Sequence, residues 1–162
     1  MKEKRIELVI KSLSFDELNN QDQDLVEKAK KSSNDAYAPY SGFMVGASLL
    51  LENGKIINAN NQENVAYPSG LCAERVGIFY ASAEYPNIAI NTIAIAAFSK
   101  SFQINDMISP CGSCRQVMAE YEEKQNSNIK MILYSSDENI LVLESVKDLL
   151  PLLFKMPLLK NH

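Results

Sequence analysis

Basic residues are scarce along the stretch that carries the chain's motifs. Between Asn34 and Glu120 stand only Lys55, Arg75, Lys100 and Arg115, against seven acidic residues, and the whole chain has a formal charge of -4. Tracking a nucleic-acid backbone takes a stripe of several Lys and Arg contacts, so no nucleic-acid partner is expected. Without a Gly-rich loop or a Lys/Arg cluster, a phosphate clamp is not expected either, which argues against a nucleotide substrate. Long apolar runs are missing too. Lys, Asp, Asn or Glu interrupts each one well before about 18 residues, so no membrane span is expected. The opening "MKEKRIELVI" runs on into "KSLSFDELNN" and not into the apolar core and small-residue cleavage site of a secretory signal, so a cytoplasmic protein is expected. With six Gly and six Pro and no low-complexity run, nothing points to disorder or repeats.

Cysteine occurs three times and histidine once. Three cysteines cannot all pair, and a reducing compartment disfavours a disulfide framework. His162 is the last residue, and chain ends are usually mobile, so a closed site of three cysteines and one histidine is not expected.

What is present reads as a globular α/β protein, 46% hydrophobic and 22% charged. At this length residues 1–162 are expected to form a single domain, with residues 1–20 as an N-terminal extension whose "RIELVIKSL" alternates like a strand over 5–13. "QDQDLVEKAKKSSNDAY" is acidic at its start and basic towards its end, which suits the helix dipole over about 21–36. Two apolar runs flank Asn53-Gly54, a tight hairpin turn, and predict strands near 44–51 and 55–60. "NQENVAYPSG" is a loop by composition. From Leu71, "LCAERVGIFYASAEY" is apolar or small nearly all round, as in a buried helix, and Ala73, Gly77 and Ala81 make a stripe of small side chains open to close approach. "NTIAIAAFS" reads as a central parallel strand. A second helix from "CGSCRQVMAEYEEK", strands near 129–135 and 139–143, and a short helix at "ESVKDLL" follow. The order predicts a three-layer α/β/α domain on a mixed sheet of about five strands.

Both cysteine segments open a helix, where a site in such a fold is expected. "PCGSC" alone is compatible with a redox pair, with a metal site or with chance. Cys72, followed by "AE", adds a third sulfur, and three thiolates bind Zn2+ tetrahedrally with one position left open, as catalytic zinc sites do. Cys111 and Cys114, at i and i+3, lie on one side of a first helical turn.

The pattern "CAE" followed by "PCGSCRQ" resembles the zinc-dependent cytidine deaminases, specifically the small type with three cysteine ligands. The resemblance spans about residues 24–155, and "YSGFMVGA" and "NQENVAYPSG" match further family segments in order. It implies the cytidine-deaminase-like fold and about one Zn2+ per chain, held by Cys72, Cys111 and Cys114. It also implies a nucleoside substrate, with hydrolysis of cytidine and deoxycytidine to uridine and deoxyuridine in pyrimidine salvage. Glu74 then reads as the proton shuttle between the attacking water, N3 of the base and the leaving amine. Arg75 is implied to hydrogen-bond the cysteine sulfurs and offset their negative charge. Phe43 is implied to stack on the base, Ala73 and Ser109 to meet its polar edge, and Asn61 and Glu63, with Tyr67, to bind the ribose. The family is homotetrameric, and Phe154 would reach a neighbouring site. Arg115 has no decided role. The alternatives are a deaminase of another small substrate such as a nucleoside antibiotic, against which the ribose loop speaks, and a non-catalytic zinc or redox protein, which would leave both Glu74 and the ribose loop unexplained.

Overall fold

A computed structural model describes residues 1–156 and 159; His162 lies outside the described residues. In chain order the elements are β1 (Lys11–Leu13), α1 (Asn20–Ser33), β2 (Phe43–Leu51), β3 (Ile56–Asn60), α2 (Ala73–Glu84), β4 (Ile90–Ser99), α3 (Gly112–Gln125), β5 (Lys130–Ser136) and β6 (Asn139–Leu143). The sheet has six strands in the order β1-β6-β5-β4-β2-β3, one more than expected. Only β4 and β5 run parallel; the other pairings are antiparallel.

Each element follows from a local cause. The Asn19 side chain accepts the Asp22 N–H at 2.9 Å and starts α1, satisfying one of the free donors of a helix start. Gly54, at φ +81°, closes the β2–β3 hairpin with a conformation that side-chain-bearing residues rarely adopt. On β4, Ile93 and Ile95 face one core while Ala94 and Ala96 face the other, as strand alternation requires. The first core holds α2 and α3 through Ala73, Ile78, Ala81 and Met118. The second holds α1 through Leu25, Val26 and Ala29. These are the three layers.

Two glycines set the spacing between layers. A Cβ on Gly46 would run into the Ala29 carbonyl and stand 2.6 Å from the Ser33 nitrogen, so α1 lies directly on β2. A Cβ on Gly77 would stand 2.6 Å from a Leu49 methyl and 3.3 Å from the Ala59 Cβ. The small-residue stripe of α2 is thus used inside the chain, against β2 and β3.

Two expectations are corrected in extent. The N-terminal strand is confined to Lys11–Leu13, because its partner β6 pairs only Ile140, Leu141 and Val142 with it. The segment "ESVKDLL" forms a 3-10 turn over Val146–Leu149, started by the Ser145 side chain accepting the Lys147 N–H. Among the described residues no helix is long and apolar enough to cross a membrane.

Candidate active site

Cys72 and Cys111 are the residues immediately before α2 and α3, and Cys114 lies in the first turn of α3. Their own backbone carbonyls begin the helical hydrogen bonding, to Arg75 and Val76 N–H and to Arg115 N–H. Neither Cys72 nor Cys111 caps its helix with its sulfur, so both sulfurs are free for other work. Two helix N-termini point at the same place, and their dipoles favour negative charge there.

The sulfurs of Cys72 and Cys111 are 4.0 Å apart, those of Cys111 and Cys114 3.6 Å, and all three lie within 4.8 Å of one another. Three thiolates on a tetrahedral Zn2+ at about 2.3 Å would be separated by about 3.8 Å. The donor set and its spacing therefore fit zinc. The electrostatics of the protein atoms alone agree. The Cys114 thiol's hydrogen bond, helped by Arg75 and opposed by burial, lowers the Cys72 pKa to about 5. The same hydrogen bond, burial and the Glu74 charge drive Cys114 upward.

Glu74, in the first turn of α2, is 4% exposed, and its Oε2 has no hydrogen-bond partner. Burial pushes its carboxyl above the ordinary carboxylate range, and the Cys72 charge adds to that. A buried carboxylate oxygen left without a partner is costly, which marks this atom as one whose partner is a ligand or water. Arg75 donates from Nη2 to Cys72 Sγ at 3.8 Å and to the Gly70 carbonyl at 3.5 Å, while its buried Nε is unpartnered.

Beside this cluster opens a cleft of about 530 Å³ whose wall includes Cys72, Arg75, Asn61, Glu63, Tyr67 and Tyr40. The Asn61 carboxamide is largely committed: Oδ1 accepts the Val45 N–H at 2.7 Å and Nδ2 donates to the Phe43 carbonyl at 2.9 Å, which leaves one N–H over. Glu63 accepts from the Tyr40 and Ser41 N–H groups and from the Ser41 hydroxyl. Burial alone would raise its pKa; the Ser41 hydroxyl and the two amides hold it below the ordinary range. Tyr67 is exposed and meets Tyr40 edge-on at 5.9 Å between ring centroids.

A family model described as the cytidine and deoxycytidylate deaminase zinc-binding region matches residues 19–128. The chain belongs to this family of zinc-dependent deaminases. A cytidine deaminase of Halalkalibacterium halodurans is 42% identical over 98 residues, 60% of this chain and 70% of that one. The crystal structure of cytidine deaminase from Burkholderia pseudomallei superposes with a TM-score of 0.70 at 34% identity, over 85% of this chain and all of that one. That of Mycobacterium tuberculosis gives 0.62 at 28% identity, over 82% and 96%.

In this deaminase the remaining expected residues stand apart from the cleft wall. Ala73 is fully buried under the start of α2 and Ser109 is exposed before Pro110. Phe43 packs on the α2–α3 core and stacks on Phe102, with centroids 6.2 Å apart and planes 5° from parallel. Phe154 is 69% exposed and lies past the residues the family model matches. Sequence reasoning missed Phe102, Tyr40 and Ser41. The hydroxyl of Ser41, in the quoted "YSGF", is the one signal that could have found the Glu63 anchor. Val65 in the same loop is exposed and does not line the cleft.

Proposed function

We propose that this deaminase hydrolyses cytidine and deoxycytidine to uridine and deoxyuridine with release of ammonia, as a step of pyrimidine salvage. One observation carries the reading: the unpartnered, buried Glu74 Oε2 belongs to the residue two positions after Cys72, and Cys72 both joins the three-cysteine cluster and lines a cleft walled by Asn61 and Glu63.

Cys72, Cys111 and Cys114 would hold the zinc, which when bound supplies a Lewis acid that makes water a nucleophile near neutral pH. Glu74 takes one proton from the attacking water and passes it to N3 of the base, then takes the second proton from the hydroxyl newly added at C4 and delivers it to the leaving amine, which departs as ammonia. Arg75 offsets the excess negative charge of three thiolates on one divalent ion. The spare N–H of Asn61 and the Glu63 carboxylate bind the ribose hydroxyls, with Tyr67 beside them. Phe43 supplies the stacking face for the base; the Ala73 backbone and the Ser109 carbonyl meet its polar edge.

A nucleoside is favoured over a nucleotide because, among the described residues, Arg75 is the one cationic residue in the cleft wall, and its guanidinium is turned to Cys72 and Gly70. The reading extends to a single domain acting in the cytoplasm as a homotetramer. Support for assembly comes from apolar side chains left exposed, Phe154, Leu152 and Tyr80 among them.

The test is loss of ultraviolet absorbance with cytidine, deoxycytidine, cytidine monophosphate and cytosine as separate substrates, zinc being measured on the same sample. Turnover confined to the first two supports the reading. Turnover of the monophosphate, or of none of the four with zinc bound, refutes it.

A further inference from the structure

The start of α3 carries two of the three sulfurs, Cys111 just before the helix and Cys114 in its first turn, yet the loop that leads to it gives it little support. From Lys100 to Cys111 the chain has no regular secondary structure, and most of it is exposed. Arg115 and Gln116 supply what the loop lacks. The Arg115 guanidinium donates from Nε to the Pro110 carbonyl at 2.7 Å, from Nη2 to the Ser109 hydroxyl at 2.8 Å, and from Nη1 to the Leu149 carbonyl at 3.1 Å. Those three acceptors lie on the chain just before α3 and on the 3-10 turn 34 residues away. Next to it, the Gln116 amide bonds both backbone groups of Phe154: Nε2 donates to its carbonyl at 3.0 Å, and Oε1 accepts its N–H at 3.2 Å.

We propose that Arg115 and Gln116 are positioning residues, forming a clamp that fixes Ser109, Cys111 and Cys114 by tying the first turn of α3 to the C-terminal segment Leu149–Phe154. The inference rests on the reading of this cluster as the zinc site. The planar fork of Arg115 is used for geometry: its three acceptors are neutral oxygens spread around it, which a single ammonium cannot reach together. Arg75 supplies the charge to the sulfurs; Arg115 supplies their place. The C-terminal segment becomes part of the scaffold of the site, although none of its residues from Leu149 to Phe154 lines the cleft.

The test compares Arg115→Ala, Arg115→Lys and Gln116→Ala with the unaltered zinc-loaded protein. It reads the rate of zinc release to a chromogenic chelator, together with kcat and KM for cytidine per bound zinc. Arg115→Ala is expected to release zinc roughly 10- to 100-fold faster and to lose kcat by a similar factor with little change in KM. Arg115→Lys is expected to behave like the alanine variant, and Gln116→Ala to change both quantities in the same direction by a smaller factor. Zinc release and kcat unchanged in Arg115→Ala would leave a merely structural role, and recovery by Arg115→Lys would make charge the operative property; either overturns the clamp. Should Arg115→Ala not fold, an unchanged release rate in Gln116→Ala overturns it. If the unaltered protein fails to deaminate cytidine, the substrate assignment falls, while the zinc-release comparison still decides this one.

Discussion

The sulfurs of Cys72 and Cys111 lie 4.0 Å apart although 39 positions separate the two residues in the chain. The fold makes this contact by starting two helices at one point. Both helices pack on the same face of the sheet, and both begin with a cysteine that leaves its sulfur unused in capping. Their positive ends then converge on the place where negative charge must be held.

Glu74→Gln should keep its fold and its zinc and lose turnover by roughly 10²- to 10⁴-fold, the worth of a well-placed acid–base group. The substitution preserves size and polarity and removes the ability to carry a proton. Zinc content and kcat measured on one preparation check it. A near-normal rate would remove Glu74 from the reaction.

Arg75→Ala should weaken zinc retention by roughly 10- to 100-fold, the usual cost of deleting a hydrogen-bond partner of a metal ligand. Competition with a chelator of known affinity measures this. Unchanged retention would confine Arg75 to its bond with the Gly70 carbonyl.

Glu63 anchors the loop before β2, since its carboxylate accepts the Tyr40 and Ser41 amides. Its pKa is lowered from 4.5, so the loop anchor is fully present above that pH and is lost as pH falls through the lower folded value. The amide resonances of Tyr40 and Ser41 should therefore titrate together below pH 4.5, and should not do so in Glu63→Gln. In kinetics the same variant should raise KM for cytidine with a smaller change in kcat. An unchanged KM would detach Glu63 from the ribose.

Gly46→Ala should destabilise more than Gly77→Ala. The first puts a methyl against the α1 backbone, which cannot give way, and the second against the flexible end of Leu49. Overpacking of the second kind costs about 1–3 kcal/mol, and Gly46→Ala should exceed that range. Urea midpoints of the zinc-loaded proteins compare them directly, and the reverse order would contradict the packing described.

The hairpin at Asn53-Gly54, the span of α2 and the start of both cysteine helices were legible because each is written locally, as a turn dipeptide, an apolar run or a spacing; the burial of α2 was overestimated, since Phe79 and Tyr80 are exposed on its outer side. The register of β1 was not. Alternation over "RIELVIKSL" is compatible with a long strand, but only Lys11–Leu13 pair with β6, although β6 extends one residue further to Leu143. The commitment of Asn61 to the backbone of β2 and the hold of Arg115 on Leu149 were also illegible, because both depend on partners brought near by the fold. The stripe of Ala73, Gly77 and Ala81 signalled close approach without saying to what; its partner is the chain's own sheet.

The central claim, that the three cysteines hold a zinc required for deamination, is tested most directly by stripping the metal and returning it in measured portions while following cytidine turnover. The rate should fall to background on stripping, and should rise in proportion to bound zinc until about one ion per chain is present. Turnover that persists in the stripped protein, or that stays absent with the full complement of zinc restored, would contradict it.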